Sequence, residues 1–203
     1  MSSFPFFNNR KEQKQAGFTM LEMIVVVAIV LIMSGIVIGY VPSFKDRSSL
    51  DLVAQEIAIN VRSAQAFASS GRTGAGAVER KFESGVVPSY GVRFEAGYEM
   101  ITLFADLDGN SEYTNDDERV EDYKLEGITL SNIESIKSNN TDNVSHINVI
   151  YKRPSLEAKF YKDQIEDEDG QGFDSVKITI TGARNGKSKI IKIHNNGQIS
   201  VGS

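Results

Sequence analysis

The sequence predicts an α+β fold in which one long N-terminal helix packs on a C-terminal antiparallel β domain. Three observations carry this. Phe18 to Val41 is apolar apart from Glu22; Leu50 to Ala68 repeats its apolar residues every three or four positions; and the chain beyond Tyr90 alternates in short runs divided by turn residues. The first pattern is a helix long enough to span a bilayer, the second an amphipathic helix, the third strands.

Phe18–Val41 at ~1.5 Å per residue reaches roughly 36 Å, enough for a hydrocarbon core of about 30 Å. Its Val and Ile content would suit a strand, but its length excludes one. A buried carboxylate costs at least a few kcal/mol unless partnered, so Glu22 is a functional candidate. Its other reading is a side chain at the membrane edge that reaches the headgroup layer. Upstream, Arg10, Lys11 and Lys14 stand against Glu12, a net of +2. A positive flank stays in the cytoplasm, so the rest of the chain is exported. No Ala-x-Ala-like site cleanly follows the apolar run, as a conventional signal peptide would have.

Pro42 removes one helical N–H and crowds the carbonyl four residues back, which predicts a kink or local unwinding, softened further by Gly35 and Gly39. Beyond it, Leu50, Val53, Ile57, Val61, Ala64 and Ala68 form a stripe to be packed on the β domain, with Asp51, Gln55, Glu56 and Arg62 opposite. Ser69-Ser70-Gly71 is the expected stop. Residues 71–89, with Gly71, Gly74, Gly76, Gly85 and Pro88, read as a flexible connector made basic by Arg72, Arg80 and Lys81.

The β signals are Tyr90–Phe94 and Met100–Phe104 around an Ala96-Gly97 turn, then short segments at Val120–Leu125 and Gly127–Leu130. His146–Tyr151 and Leu156–Tyr161 follow, with Pro154 between them. Ser175–Thr181 and Ser188–His194 flank Asn185-Gly186, and Asn196-Gly197 leads to Gln198–Val201. The expected organisation is 1–17, 18–41, 42–70, 71–89 and 90–203, the last a single β domain of ordinary size.

Gly17-Phe18-Thr19-Met20-Leu21-Glu22, with basic residues before and a long apolar helix after, resembles the N-terminus of type IV pilins and type II secretion pseudopilins. The resemblance implies a pilin-like fold and a cytoplasmic leader, 1–17, removed by a prepilin peptidase between Gly17 and Phe18. It implies N-methylation of Phe18 and pairing of Glu22 with the terminal amine of a neighbouring subunit. It also implies that Thr19 and Pro42 belong to the assembly segment. The implied partners are other pilin or pseudopilin subunits, the peptidase, an inner-membrane assembly platform and membrane lipid. The implied location is the cytoplasmic membrane, single-pass, with the β domain outside and filaments beyond. Tyr90-Gly91-Val92, Phe104 through Asn110 and Gly197 through Val201 are similar to the GspH/FimT-like minor pseudopilins.

Asp106, Asp108, Asn110 and Glu112, with Asp117, place oxygens at the alternation a calcium loop uses. The glycine stands fourth rather than sixth, so a complete EF-hand is not expected; a calcium-binding turn and a solvated polar turn both fit. Glu166-Asp167-Glu168-Asp169, with Asp174, reads as a solvated loop. The chain has no cysteine, so no disulfide can tether its C-terminal region. His146 and His194 fall in strand alternation, and no nucleophile motif, phosphate loop or zinc pair is present, so no enzyme is expected. The net charge of −5, or −7 without residues 1–17, disfavours nonspecific nucleic-acid binding. Three alternatives remain: a membrane-anchored calcium-dependent adhesive module, a competence pilin that contacts DNA through the basic 72–81 stretch, and a simple single-pass membrane protein whose motif is coincidental.

Overall fold

A computed structural model describes residues 17–71, 87–114, 119–138, 140–155, 157–162, 172–183 and 186–202. The chain divides into two units, Met1–Pro42 and Ser43–Ser203. One helix, α1 (Met20–Ser70), is assigned through both. The helical assignment includes Pro42. A proline removes a single donor, and one missing bond does not end a helix whose flanking turns persist.

In the first unit, the large apolar side chains from Met20 to Ile38 are 50–83% exposed. In the second, Leu50, Ala54, Ile57, Val61, Ala64 and Ala68 are buried, and Val53 is half-buried. This is the stripe the spacing predicted, with Ala54 and Ala58 added. Gly71 ends the helix at φ +65°, the left-handed conformation glycine adopts at little cost. A Cβ there would also collide with the Arg153 guanidinium.

Ten strands form two antiparallel five-stranded sheets. They are β1 (Ser89–Glu95), β2 (Met100–Asp106), β3 (Arg119–Lys124), β4 (Ile128–Lys137), β5 (Asn140–Asn143), β6 (His146–Tyr151), β7 (Ala158–Tyr161), β8 (Ser175–Gly182), β9 (Ser188–His194) and β10 (Ile199–Gly202). One sheet runs β3-β2-β1-β6-β7 and the other β10-β9-β8-β4-β5. Tyr90, Val92, Phe94, Ile147 and Val149 of the first share a core with Ile133, Val176, Ile178 and Ile191 of the second and with the α1 stripe. Phe67 on α1 meets Tyr90 edge-on at 5.6 Å.

The expected strand Gly127–Leu130 is corrected to a ten-residue β4, followed by a β5 that the sequence did not announce. The cause is a bulge. Pairing of β4 with β8 shifts between Leu130 and Asn132, so burial passes from Ile128 and Leu130 to Ile133 and Ser135. The extra residue changes the parity of the alternation, which hides the strand from a period-two reading. The 71–89 connector falls mostly outside the described residues, and β1 already begins at Ser89. Asn185 also lies outside them, whereas Gly186 takes φ +62° between β8 and β9.

Candidate processing and assembly site

Gly17, Phe18 and Thr19 are exposed and non-helical, and α1 starts at Met20. Thr19 is its N-cap. Its Oγ1 accepts the Glu22 N–H at 3.2 Å, and its carbonyl accepts the Met23 N–H at 3.2 Å. A side-chain oxygen in this position satisfies one of the donors that a helix start leaves open. Thr19-Met20-Leu21-Glu22 has the Thr-x-x-Glu spacing of a capping box. The pattern was legible in the sequence, although the capping role of Thr19 was not drawn from it. Only half of the box forms. Among the described residues the Glu22 carboxylate meets no partner, so it stands exposed in the first turn, beside the positive end of the helix dipole. A Cβ on Gly17 would meet nothing within 4 Å, so the packing of this chain does not itself demand a glycine there.

The acidic turn after β2 is built differently. Asp106, 5% exposed, turns its carboxylate back on its own loop: Oδ1 accepts the Gly109 N–H at 2.8 Å and Oδ2 the Ser111 N–H at 3.3 Å. Asp108 Oδ1 accepts the Asn110 N–H at 3.1 Å, and Asn110 Oδ1 accepts the Glu112 N–H at 2.7 Å. The last two are Asx-turn bonds, and all four are the local use such side chains find in loops. Glu112 Oε1 stands 4.0 Å from His146 Nε2, and Tyr113 tilts against Phe104 at 5.6 Å. No group of three or more His, Cys, Asp or Glu among the described residues is placed to hold a metal. Asp117 lies outside the described residues, as do Glu166, Asp167, Glu168 and Asp169. Asp174 Oδ2 instead accepts the Ser138 N–H at 2.6 Å. His194, at the end of β9, shares its backbone with the following turn, where its N–H donates to the Gln198 carbonyl.

Residues 13–38 match the family model of the prokaryotic N-terminal methylation motif. The chain carries the type IV pilin and pseudopilin signature. No curated protein and no solved structure matches it. Pilins and pseudopilins are structural subunits that assemble with one another. Their signature covers the cap, Glu22 and the apolar helix to Ile38, and ends before the β domain. Among the described residues, Met20–Ile38 is the one stretch long and apolar enough to cross a membrane. Its 19 residues rise about 28 Å. Both features fit a single-pass, membrane-anchored pilin.

Proposed function

We propose that the chain is a minor pilin or pseudopilin, a structural subunit of a type IV pilus or type II secretion pseudopilus. The precursor sits in the inner membrane with residues 1–17 in the cytoplasm and the β domain outside. Prepilin peptidase cuts between Gly17 and Phe18, and the new Phe18 amine is methylated. The freed helices pack side by side on the assembly platform. Glu22 of one subunit pairs with the Phe18 amine of the next, while Thr19 and Pro42 lie in the segment that packs.

The observation that supports this reading is a helix whose apolar side chains from Met20 to Ile38 are at least half exposed. No described residue of the same chain covers them, and no described group pairs with the carboxylate at their start. Lipid can cover the apolar surface. Its hydrocarbon cannot neutralise Glu22, whereas an ammonium on an adjacent helix can. No catalytic step is assigned to any residue.

The test is the mature N-terminus and its fate. Mass spectrometry of the mature protein should find N-methyl-Phe18 as its first residue. Glu22→Ala should be cut normally and fall at least tenfold in the filament fraction sheared from cells. A mature chain that still begins at Met1, or a Glu22→Ala variant incorporated at wild-type levels, overturns the reading.

A further inference from the structure

We propose that Thr19 is a positioning residue for processing: its side chain stops the helix two residues past the Gly17–Phe18 bond and so keeps that bond in the extended form a peptidase needs. The inference rests on the processing reading above. Hydrolysis adds the oxygen of water to the Gly17 carbonyl carbon, breaks the C–N bond and leaves the proton on the Phe18 amine. A nucleophile and an oxyanion donor must both reach that carbonyl. In an α-helix the Gly17 carbonyl would be occupied by the Leu21 N–H and shielded by the turn above it.

The decisive geometry is a competition for one hydrogen. Were the helix continued backward, the Glu22 N–H would bond the Phe18 carbonyl, four residues earlier. In the structure it bonds Thr19 Oγ1 at 3.2 Å instead, and the first carbonyl in the helical ladder is Thr19's own, bound to the Met23 N–H. The threonine hydroxyl thus stands in for the Phe18 carbonyl and holds Phe18 and Gly17 outside the helix, where both are exposed. Little else in the sequence would stop the helix here. Lys14, Gln15 and Ala16 are good helix formers, and Gly17 alone costs about 1 kcal/mol. The cap also uses the Glu22 backbone and leaves its carboxylate available for a neighbour.

The experiment follows cleavage of the membrane-embedded full-length precursor by prepilin peptidase, with Thr19→Ala, Thr19→Ser and Thr19→Asn beside the wild type. A lost cap is worth about 1 kcal/mol, or about fivefold at 1.36 kcal/mol per tenfold. Thr19→Ala should therefore be cut about fivefold more slowly, while Thr19→Ser and Thr19→Asn, which also cap, should be cut within twofold of wild type. In detergent-solubilised precursor, the Phe18 13Cα shift should move toward helical values in Thr19→Ala alone. Rescue by serine but not asparagine would mean that the peptidase reads the hydroxyl itself, and the proposal falls. It falls equally if Thr19→Ala is cut at the wild-type rate, or if its Phe18 shift does not move. A wild-type precursor left uncut sinks the underlying processing reading instead.

Discussion

The two ends of α1 put similar residues to opposite uses. Met20–Ile38 is apolar on every side and exposed on every side. Leu50–Ala68 confines its apolar residues to one stripe and buries that stripe under two sheets of its own chain. The contrast teaches that an apolar helical residue says only that it will be covered. The pattern around it says by what. A stripe with a polar back is covered by the chain itself; a rod that is apolar all round is covered by lipid or by other copies. Leu52 and Ile59 qualify the contrast, being 64% and 59% exposed on the otherwise polar face. Single exposed apolar residues of that kind are ordinary.

The largest expected effect separates the two ends directly. Ile57 is fully buried against the sheets, whereas Ile29 is 52% exposed. Ile57→Ala should lower the stability of the β domain by about 2–5 kcal/mol, from lost transfer energy and the cavity left behind. Ile29→Ala should leave it within about 0.5 kcal/mol. Denaturant unfolding of the full chain in detergent, read by tyrosine fluorescence, measures both. Equal effects at the two positions would erase the distinction between a self-covered and an externally covered helix.

Much of this was legible in the sequence, and the parts that were not have physical causes. The apolar run, the buried stripe, the Gly71 stop and the β1–β2 hairpin all follow from periodicities that nothing local disturbs. His146–Tyr151 and Ser188–His194 were readable to the residue for the same reason. The second half of β4 was not, because the bulge beside Ser131 reverses which residues point inward. Its partner β5, Asn140–Asn143, is wholly polar and exposed and carries no hydrophobic signal at all. At the candidate site, residue identity and spacing announced Gly17, Phe18 and Glu22, but the half-formed capping box emerged only from hydrogen-bond geometry. The acidic run Asp106–Glu112 shows the converse. Its spacing suggests ion ligands, yet both Asp106 oxygens, Asp108 Oδ1 and Asn110 Oδ1 turn to backbone donors within the loop.

The β domain that covers the second half of the helix depends on a close approach that can be tested next. A Cβ on Gly91 of β1 would stand 2.8 Å from Phe104 Cζ and 2.9 Å from Ile150 Cγ1. Those two residues, with Tyr161 and Tyr113, make a small apolar cluster apart from the main core. The phenyl ring needs the bare backbone beneath it. Gly91→Ala should therefore cost about 1–3 kcal/mol through overpacking. Its effect should fall on the β domain alone and leave the Phe18 cut unchanged. A variant as stable as the wild type would mean that Phe104 can move aside freely, and that this cluster does not hold the domain together.

The smallest expected effect concerns a polar group that even the self-covered half leaves unmatched. Tyr151 on β6 is fully buried, and among the described residues its hydroxyl has no hydrogen-bond partner. Burial raises its pKa well above the ordinary tyrosine value, because the phenolate loses its hydration. The sign follows from linkage. The folded state holds its proton more tightly than the unfolded state, so the associated stability is complete below the unfolded pKa of about 10 and declines as pH rises above it. Tyr123 adds to the same alkaline loss, its pKa raised first by burial and then by the Glu121 and Glu56 carboxylates. Tyr151→Phe removes an unpaired buried hydroxyl and should raise stability at pH 7 by about 1 kcal/mol. It should also move the alkaline unfolding midpoint upward without abolishing it, since Tyr123 remains. A loss of stability at pH 7 would show that the Tyr151 hydroxyl is satisfied after all, and that its burial in the core beneath α1 costs the fold nothing.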